Sequence, residues 1–189
     1  MNIQELYFKN DSEWRNWLHK NHQNCTGVYL IFYKVNHEMA SMRWEEAVKV
    51  ALCYGWIDST AKSLGNGKRR QYFSPRNPKS LWSALNKQYV EELTIANLMH
   101  KSGLGRIEMA KKNGTWNGLD EVEKGIIPED LQKAFNNNKK AFENFKNFAS
   151  SYRKSYLYWI NQAKREATRQ KRIEETIVLC EENQKSRPF

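Results

Sequence analysis

Apolar residues over the first 114 positions recur with both strand-like and helix-like spacing. The apolar runs at 3–8 and 27–33 predict two strands, and the second is expected to be a central strand buried on both faces because nearly all of its residues are apolar. Helical spacing predicts helices over residues 10–22 and 43–53. Two further runs, 56–63 and 68–74, flank a Gly-Asn-Gly tip and predict a β-hairpin.

A turn bracketed by Pro75 and Pro78 follows this hairpin, because each proline restricts the backbone around it. Ser80 can cap the next helix, and Gly103 and Gly105 are expected to break it. The inner stripe of that helix is predicted to comprise Trp82, Leu85, Tyr89 and Leu93.

From Pro128 onward, apolar side chains recur only at helical spacing. Strands mixed with helices, followed by helices alone, predict an α+β fold in which a small sheet with flanking helices precedes a helical C-terminal part. We therefore expect an α+β part with a cleft over residues 1–114. A helical part over residues 115–189 is expected to pack on it as one unit.

Positive charge is concentrated in one part of the 189-residue chain, whose net charge is +10. Residues 61–115 carry eleven basic and three acidic side chains. Such an excess suggests an anionic partner, such as a phosphate, a nucleotide, a nucleic acid or an acidic lipid headgroup. A lysine-rich surface without any partner is the alternative interpretation.

Targeting and cysteine patterns indicate a cytoplasmic protein. No apolar run approaches the roughly 20 residues that span a bilayer, and the N-terminus lacks the layout of a signal peptide. Cys25, Cys53 and Cys180 have neither metal-binding nor disulfide-framework spacing, which fits a reducing compartment. Cys53 ends an apolar helix face and is expected to be a buried thiol.

A candidate ligand site lies between residues 51 and 86, where aromatic, acidic, basic and hydroxyl side chains alternate. If the hairpin folds back onto the next helix, Asp58 and Arg76 could pair near its N-terminus, where free N–H groups suit a phosphate or carboxylate. In the alternative interpretation the pair is a structural salt bridge and the tryptophans are core. The predicted ligand-binding residues are Trp56, Asp58, Arg76, Ser80, Trp82 and Ser83.

Two basic clusters are further candidates. Lys68, Arg69 and Arg70 lie beside Tyr72 and Phe73, and basic groups interleaved with aromatic rings suit single-stranded nucleic acid. A charged hairpin tip would give the same pattern.

Arg165, Arg169 and Arg172 share one face of a predicted helix. They predict a cationic ridge that could line the same cleft as the ligand site. A solvated face with weak surface pairs is the alternative.

Catalytic and cofactor motifs are not recognisable in the chain. The four histidines are scattered, and His19 and His22 at i, i+3 could hold a metal, but no third ligand is indicated. There is no glycine-rich phosphate loop and no nucleophile elbow, so no cofactor is expected. An enzyme that uses Asp58 as an acid or base remains an alternative to a binding protein.

Three stretches resemble the YdeI/OmpD-associated family, often labelled bacteriocin-protection proteins: ALCYGWID at 51–58, SPRNPKSLWSALN at 74–86, and WINQAKREATR at 159–169 followed by Arg172 and Ile173. The resemblance implies a role in stress resistance, through protection against bacteriocins or cationic peptides, and brings no settled reaction or cofactor. With the basic charge, it leads us to expect a cytosolic protein that binds an anionic small molecule or headgroup in a basic, Trp-walled cleft. Single-stranded nucleic acid is the other ligand considered.

Overall fold

The computed structural model describes residues 3–187. The chain forms two compact units that divide between Asn117 and Gly118. The first unit contains a four-stranded sheet with helices and the second is helical, which confirms the predicted α+β class. The elements of the first unit are β1 (Glu5–Tyr7), α1 (Asp11–Asn21), β2 (Val28–Tyr33), α2 (Trp44–Cys53), β3 (Trp56–Gly65), β4 (Lys68–Pro75), α3 (Ala84–Ile95) and α4 (Lys101–Lys112).

The sheet has the strand order β1-β2-β4-β3, with β1 parallel to β2 and the other pairs antiparallel. The predicted hairpin is confirmed as β3 and β4, and β2 is central as expected. Its predicted burial on both faces is only partly right: Val28, Leu30 and Phe32 point into the core, whereas Tyr29 and Tyr33 are half-buried on the other face.

Tryptophans form the centre of the first unit's core. The Trp14 ring stacks on Trp17 with a centroid distance of 5.3 Å and meets Trp56 edge-on at 6.3 Å. The indole N–H of Trp14 donates to the Ala47 carbonyl at 3.2 Å, and that of Trp56 donates to the His22 carbonyl at 3.1 Å. Because both indole N–H groups have acceptors, these large rings can be buried without leaving a polar atom unpaired.

The start of α3 differs from the prediction. Ser83 is the N-cap residue and accepts a hydrogen bond from the Asn86 N–H at 3.3 Å, whereas the Ser80 hydroxyl donates to the Asn77 carbonyl inside the preceding turn. The prediction that Ser80 caps the helix is therefore wrong. Trp82 precedes α3, and Leu85 is an exposed residue, so only Tyr89 and Leu93 of the predicted stripe are buried helix positions.

Gly103 and Gly105 lie inside α4, so the prediction that they break a helix is also wrong. A Cβ atom at Gly103 would lie 2.3 Å from the Cys53 carbonyl oxygen. Glycine at this position allows α4 to pack closely against the end of α2.

The second unit consists of α5 (Asp120–Glu123), α6 (Glu129–Asn136), α7 (Lys139–Asn147), α8 (Ser150–Asn161) and α9 (Glu166–Glu181). Leu131, Phe135, Phe145 and Leu157 are among the residues of its separate hydrophobic core. The predicted all-helical C-terminal part is thereby confirmed. Over residues 3–187, none of the helices combines the length and apolar character needed to cross a membrane.

Candidate functional site

Both tryptophans of the predicted ligand site are buried in the first unit. Trp56 is 1% exposed and Trp82 is 2% exposed. Trp56 packs edge-on against Trp17 as well as Trp14, and its indole N–H is already bonded. Their placement matches the core interpretation that the sequence left open.

Arg76 is an unusual member of the predicted site because its guanidinium group is also buried, with 5% of the residue exposed. The guanidinium carbon lies 3.8 Å from the centroid of the Trp82 ring, and Nη2 donates to the Leu81 carbonyl at 2.5 Å. The buried Nε has no hydrogen-bond partner. Burial lowers the pKa of Arg76 to about 10, although the negative charge of Asp58 acts in the opposite direction.

Asp58 does not pair directly with Arg76, so that expectation is wrong. Its Oδ2 instead accepts hydrogen bonds from the Trp44 indole N–H at 2.8 Å and from the Gln71 side-chain amide. Asp58 therefore joins the first residue of α2 to both strands of the hairpin. Ligand binding by the six predicted residues stays a prediction.

A cavity of about 770 Å³ opens beside the outer end of the hairpin. The end of β2 and the loop after it form one side, the start of α2 forms another, and the tips of β3 and β4 close the third. The register explains this arrangement: Tyr33 pairs with Lys68, and the Lys34 N–H donates to the Gly67 carbonyl at 2.9 Å. The lining is formed by residues 32–36, 42–44, 61–63 and 65–69.

The cavity lining is strongly basic. It includes five cationic residues and, within the part of the chain that the structure describes, no acidic residue. None of the five forms an ion pair with any carboxylate among residues 3–187. These cavity cations are Lys34, Arg43, Lys62, Lys68 and Arg69.

Apolar side chains form the remaining wall of the cavity. Phe32 and Met42 are almost fully buried, and the half-buried Trp44 is held by its bond to Asp58. The guanidinium carbon of Arg69 lies 5.3 Å from the centroid of the Phe32 ring. The cavity thus combines an aromatic surface with unpaired positive charge.

The sequence identified only part of this cavity. Lys68 and Arg69 were found as a basic run, but Lys34 and Arg43 lie in a segment whose net charge is close to neutral. Strand pairing is the signal that could have located this part of the lining. A strand that pairs with β4 must end beside the hairpin tip, so the residues after β2 lie next to Lys68. Asp58 is connected to the cavity through its hydrogen bond with Trp44.

Three histidines that are scattered in the sequence meet in the structure, where His100 joins His19 and His22. The ring of His100 lies 5.0 Å from His22 and 6.0 Å from His19, and it stacks on Tyr54 at 5.0 Å. Among the described residues, no group of three or more histidine, cysteine or acidic side chains is arranged to hold a metal. Burial is the main cause that lowers the pKa of His100.

The predicted cationic ridge of the second unit is largely engaged with its own fold. Arg169 forms a bidentate pair with Asp130, with Nε 2.5 Å from Oδ2 and Nη2 2.9 Å from Oδ1. This hydrogen-bonded pair lowers the pKa of Asp130. Arg172 donates to the Trp159 carbonyl at 2.6 Å, while Arg165 is the N-cap residue of α9 without a side-chain capping bond.

Comparison with known proteins gives two family matches. Residues 6–106 match the family described as Domain of unknown function (DUF8412), and residues 124–183 match Bacteriocin-protection, YdeI or OmpD-Associated. No curated protein and no solved structure matches the chain. The WINQAKREATR stretch lies within the second match, whereas the two earlier stretches lie within the first. The chain therefore belongs to the DUF8412 family, and residues 124–183 of its helical second unit match the YdeI/OmpD-associated, bacteriocin-protection family.

Proposed function

We propose that the first unit binds an anionic small molecule, bearing a phosphate or carboxylate group, in the basic cavity at the outer end of the hairpin. The observation that carries this proposal is the set of five cavity cations without a carboxylate partner. The six residues predicted from the sequence are not in direct contact with this cavity. In this proposal Asp58 contributes by holding Trp44 in place.

The electrostatics favour an anion because like charges lining one concave surface repel each other. Walls of low dielectric concentrate their field in the cavity, and a bound anion relieves the repulsion. Arg43 and Arg69 offer planar guanidinium groups that can contact two oxygens at once, and Lys34 adds a point charge. These properties suit phosphate and carboxylate groups better than a neutral polar ligand.

The shape of the cavity favours a small molecule with an apolar part. Its volume of about 770 Å³ falls within the roughly 300–1,000 Å³ of typical small-molecule sites. Phe32, Met42 and Trp44 can pack against a ring or a short aliphatic group. We therefore favour a ligand with an anionic end and a hydrophobic or planar body.

The positive charge of the cavity disfavours direct binding of a cationic peptide. We infer that a protective role of the kind named for the YdeI/OmpD-associated family would act through the anionic ligand. The proposal places this activity in the cytoplasm, which the free thiols of Cys25, Cys53 and Cys180 support. Because both hydrogen bonds of Asp58 serve structural donors, we favour binding over acid–base catalysis by that residue.

Titration with pyrophosphate at low ionic strength tests the proposal. Calorimetry measures the affinity, and the shift of the thermal unfolding midpoint gives a second measure of binding. We expect saturable binding and a rising midpoint for the native protein. Arg69→Gln and Lys34→Gln should each weaken binding about tenfold or more, because a hydrogen bond to a charged group contributes roughly 1.5–3 kcal/mol.

The matched control is Lys139→Gln, which removes one positive charge from an exposed position of α7. It should leave the affinity within about twofold, since Lys139 does not line the cavity and loses no hydrogen bond to the anion. Absence of saturable binding, or equal affinities for Arg69→Gln and Lys139→Gln, would refute the proposal.

A further inference from the structure

The face of the sheet that points away from the core carries a second group of aromatic and basic side chains. We call it the open face and use it for Lys68, Arg70 and Tyr72 on β4, Tyr29 on β2 and Lys62 on β3. Ile31, which pairs with Arg70, also points to this side of the sheet but is buried. Side chains two residues apart on a strand point to the same side, about 7 Å apart. All five residues are half-buried or exposed.

The register divides the basic run between the two faces of the sheet. Arg69 and Phe73 point to the core face, where Arg69 contacts Phe32 and Phe73 is fully buried. Arg70 and Tyr72 point the other way. The open face is therefore a separate surface from the wall of the cavity that contains Arg69, although Lys62 and Lys68 at the hairpin end border both.

Tyr72 and Tyr29 form an aromatic platform on this face. Their ring centroids are 5.2 Å apart and their planes are inclined by 56°, so each ring offers its own stacking surface. Tyr72 lies directly over the backbone of Gly27, where a Cβ atom would come within 2.0 Å of the Tyr72 hydroxyl oxygen. The glycine thus lets the tyrosine ring lie low against the sheet.

Arg70 extends this platform and fixes positive charge beside it. Its guanidinium carbon lies 4.4 Å from the centroid of the Tyr29 ring, and its Nη1 forms an ion pair with Glu5 at 2.6 Å. Lys62 is the register partner of Arg70 on β3. Lys68 lies two residues before Arg70 on β4 and points to the same face. Three cations and one carboxylate leave the open face with net positive charge around its tyrosines.

We propose that the open face binds single-stranded nucleic acid. One base stacks on Tyr72 and another on the Arg70 guanidinium that lies over Tyr29, while phosphates contact Lys62 and Lys68. A single strand fits better than a duplex because stacking on tyrosine requires bases that are not already stacked in a helix. The inference shares Lys62 and Lys68 with the small-anion proposal but rests on the tyrosine platform, which that proposal does not use.

Fluorescence anisotropy with a labelled 12-nucleotide oligothymidylate, compared with a duplex of equal length, tests the inference. We expect Tyr72→Leu to weaken single-strand binding about 5- to 150-fold, the loss of one stacked base. Tyr72→Phe keeps the ring and should stay within about twofold, as should Tyr152→Leu at an exposed tyrosine of α8.

The salt dependence of oligonucleotide binding provides a second readout, and the substitution that tests it does not change a core residue. The two phosphate contacts of Lys62 and Lys68 predict a slope of log K against log salt of about −1.4, and the exposed Lys62→Gln should make it less steep by about 0.7. Equal affinity for the duplex, or unchanged affinity and slope in Tyr72→Leu and Lys62→Gln, would overturn the inference. A loss in Arg69→Gln as large as in Tyr72→Leu would assign the oligonucleotide to the cavity instead and also overturn it.

Discussion

Gly103→Ala tests how closely α4 packs against the end of α2. In an open helix position this change would stabilise the protein by about 1 kcal/mol, because alanine is the better helix former. Here the new Cβ would lie 2.3 Å from the Cys53 carbonyl oxygen and 2.7 Å from that of Leu52. Both are backbone atoms of buried residues, so they cannot rotate away.

Relief of this clash requires a shift of α4 as a whole. Overpacking of this kind costs about 1–3 kcal/mol, and the shift would also strain the hydrogen bond from the His100 N–H to the Cys53 carbonyl, which is 3.1 Å long. That bond contributes about 1 kcal/mol. We therefore expect Gly103→Ala to lower the free energy of unfolding by about 1–3 kcal/mol after the helix-propensity gain.

Gly105→Ala is the matched control in the same helix. A Cβ atom at Gly105 would meet nothing within 4 Å, so this variant should raise the free energy of unfolding by about 0.5–1 kcal/mol. Urea unfolding followed by tryptophan fluorescence measures both variants. If Gly103→Ala proves as stable as Gly105→Ala, the close packing of α4 on α2 is incorrect.

Two further predictions concern charged and titratable groups. Because burial holds the pKa of His100 below its usual value, its stabilising effect is complete above the unfolded pKa of about 6.5 and is lost as the pH falls. Its Nδ1 accepts the Ser102 N–H as the N-cap of α4, and protonation removes this bond. Urea unfolding should therefore give a lower free energy of unfolding at pH 5 than at pH 8, and His100→Asn should reduce the difference; an unchanged difference in the variant would contradict this. In the second unit, Arg169→Lys should lower stability by about 1–2 kcal/mol because lysine cannot form the bidentate pair with Asp130, and a thermal midpoint equal to that of the native protein would exclude such a role.

Local features of the fold were predictable because their signals lie within short segments. The Gly-Asn-Gly tip indicated the hairpin, and apolar spacing indicated α2 and the helices of the second unit. The start of α3 was misplaced by a few residues because Ser80 and Ser83 are equally suitable caps in sequence. The prediction that Gly103 ends a helix is wrong because the residue is needed for close contact with α2, a segment far away in the sequence.

The candidate sites depend on contacts that no local pattern contains. Asp58 and Arg76 looked like partners, yet Trp44 and Gln71 bind the carboxylate. The basic run looked continuous, but strand alternation sends Arg69 to the cavity and Arg70 to the open face. The sequence predicts the right kinds of side chain in the first unit. Which of them lie together depends on the register of the strands.

The position of Asp58 also affects how the cavity keeps its width. The pairing of β3 with β4 is interrupted between Asp58 and Ala61, and β3 is exposed from Ser59 onward. The bonds from Asp58 to Trp44 and Gln71 therefore lie where the firmly packed part of the hairpin gives way to its outer part. Because β4 stays paired with β2 as far as Lys68, bending at this point would move β3 relative to α2. The separation of these two cavity walls is therefore set by a carboxylate that does not itself line the cavity.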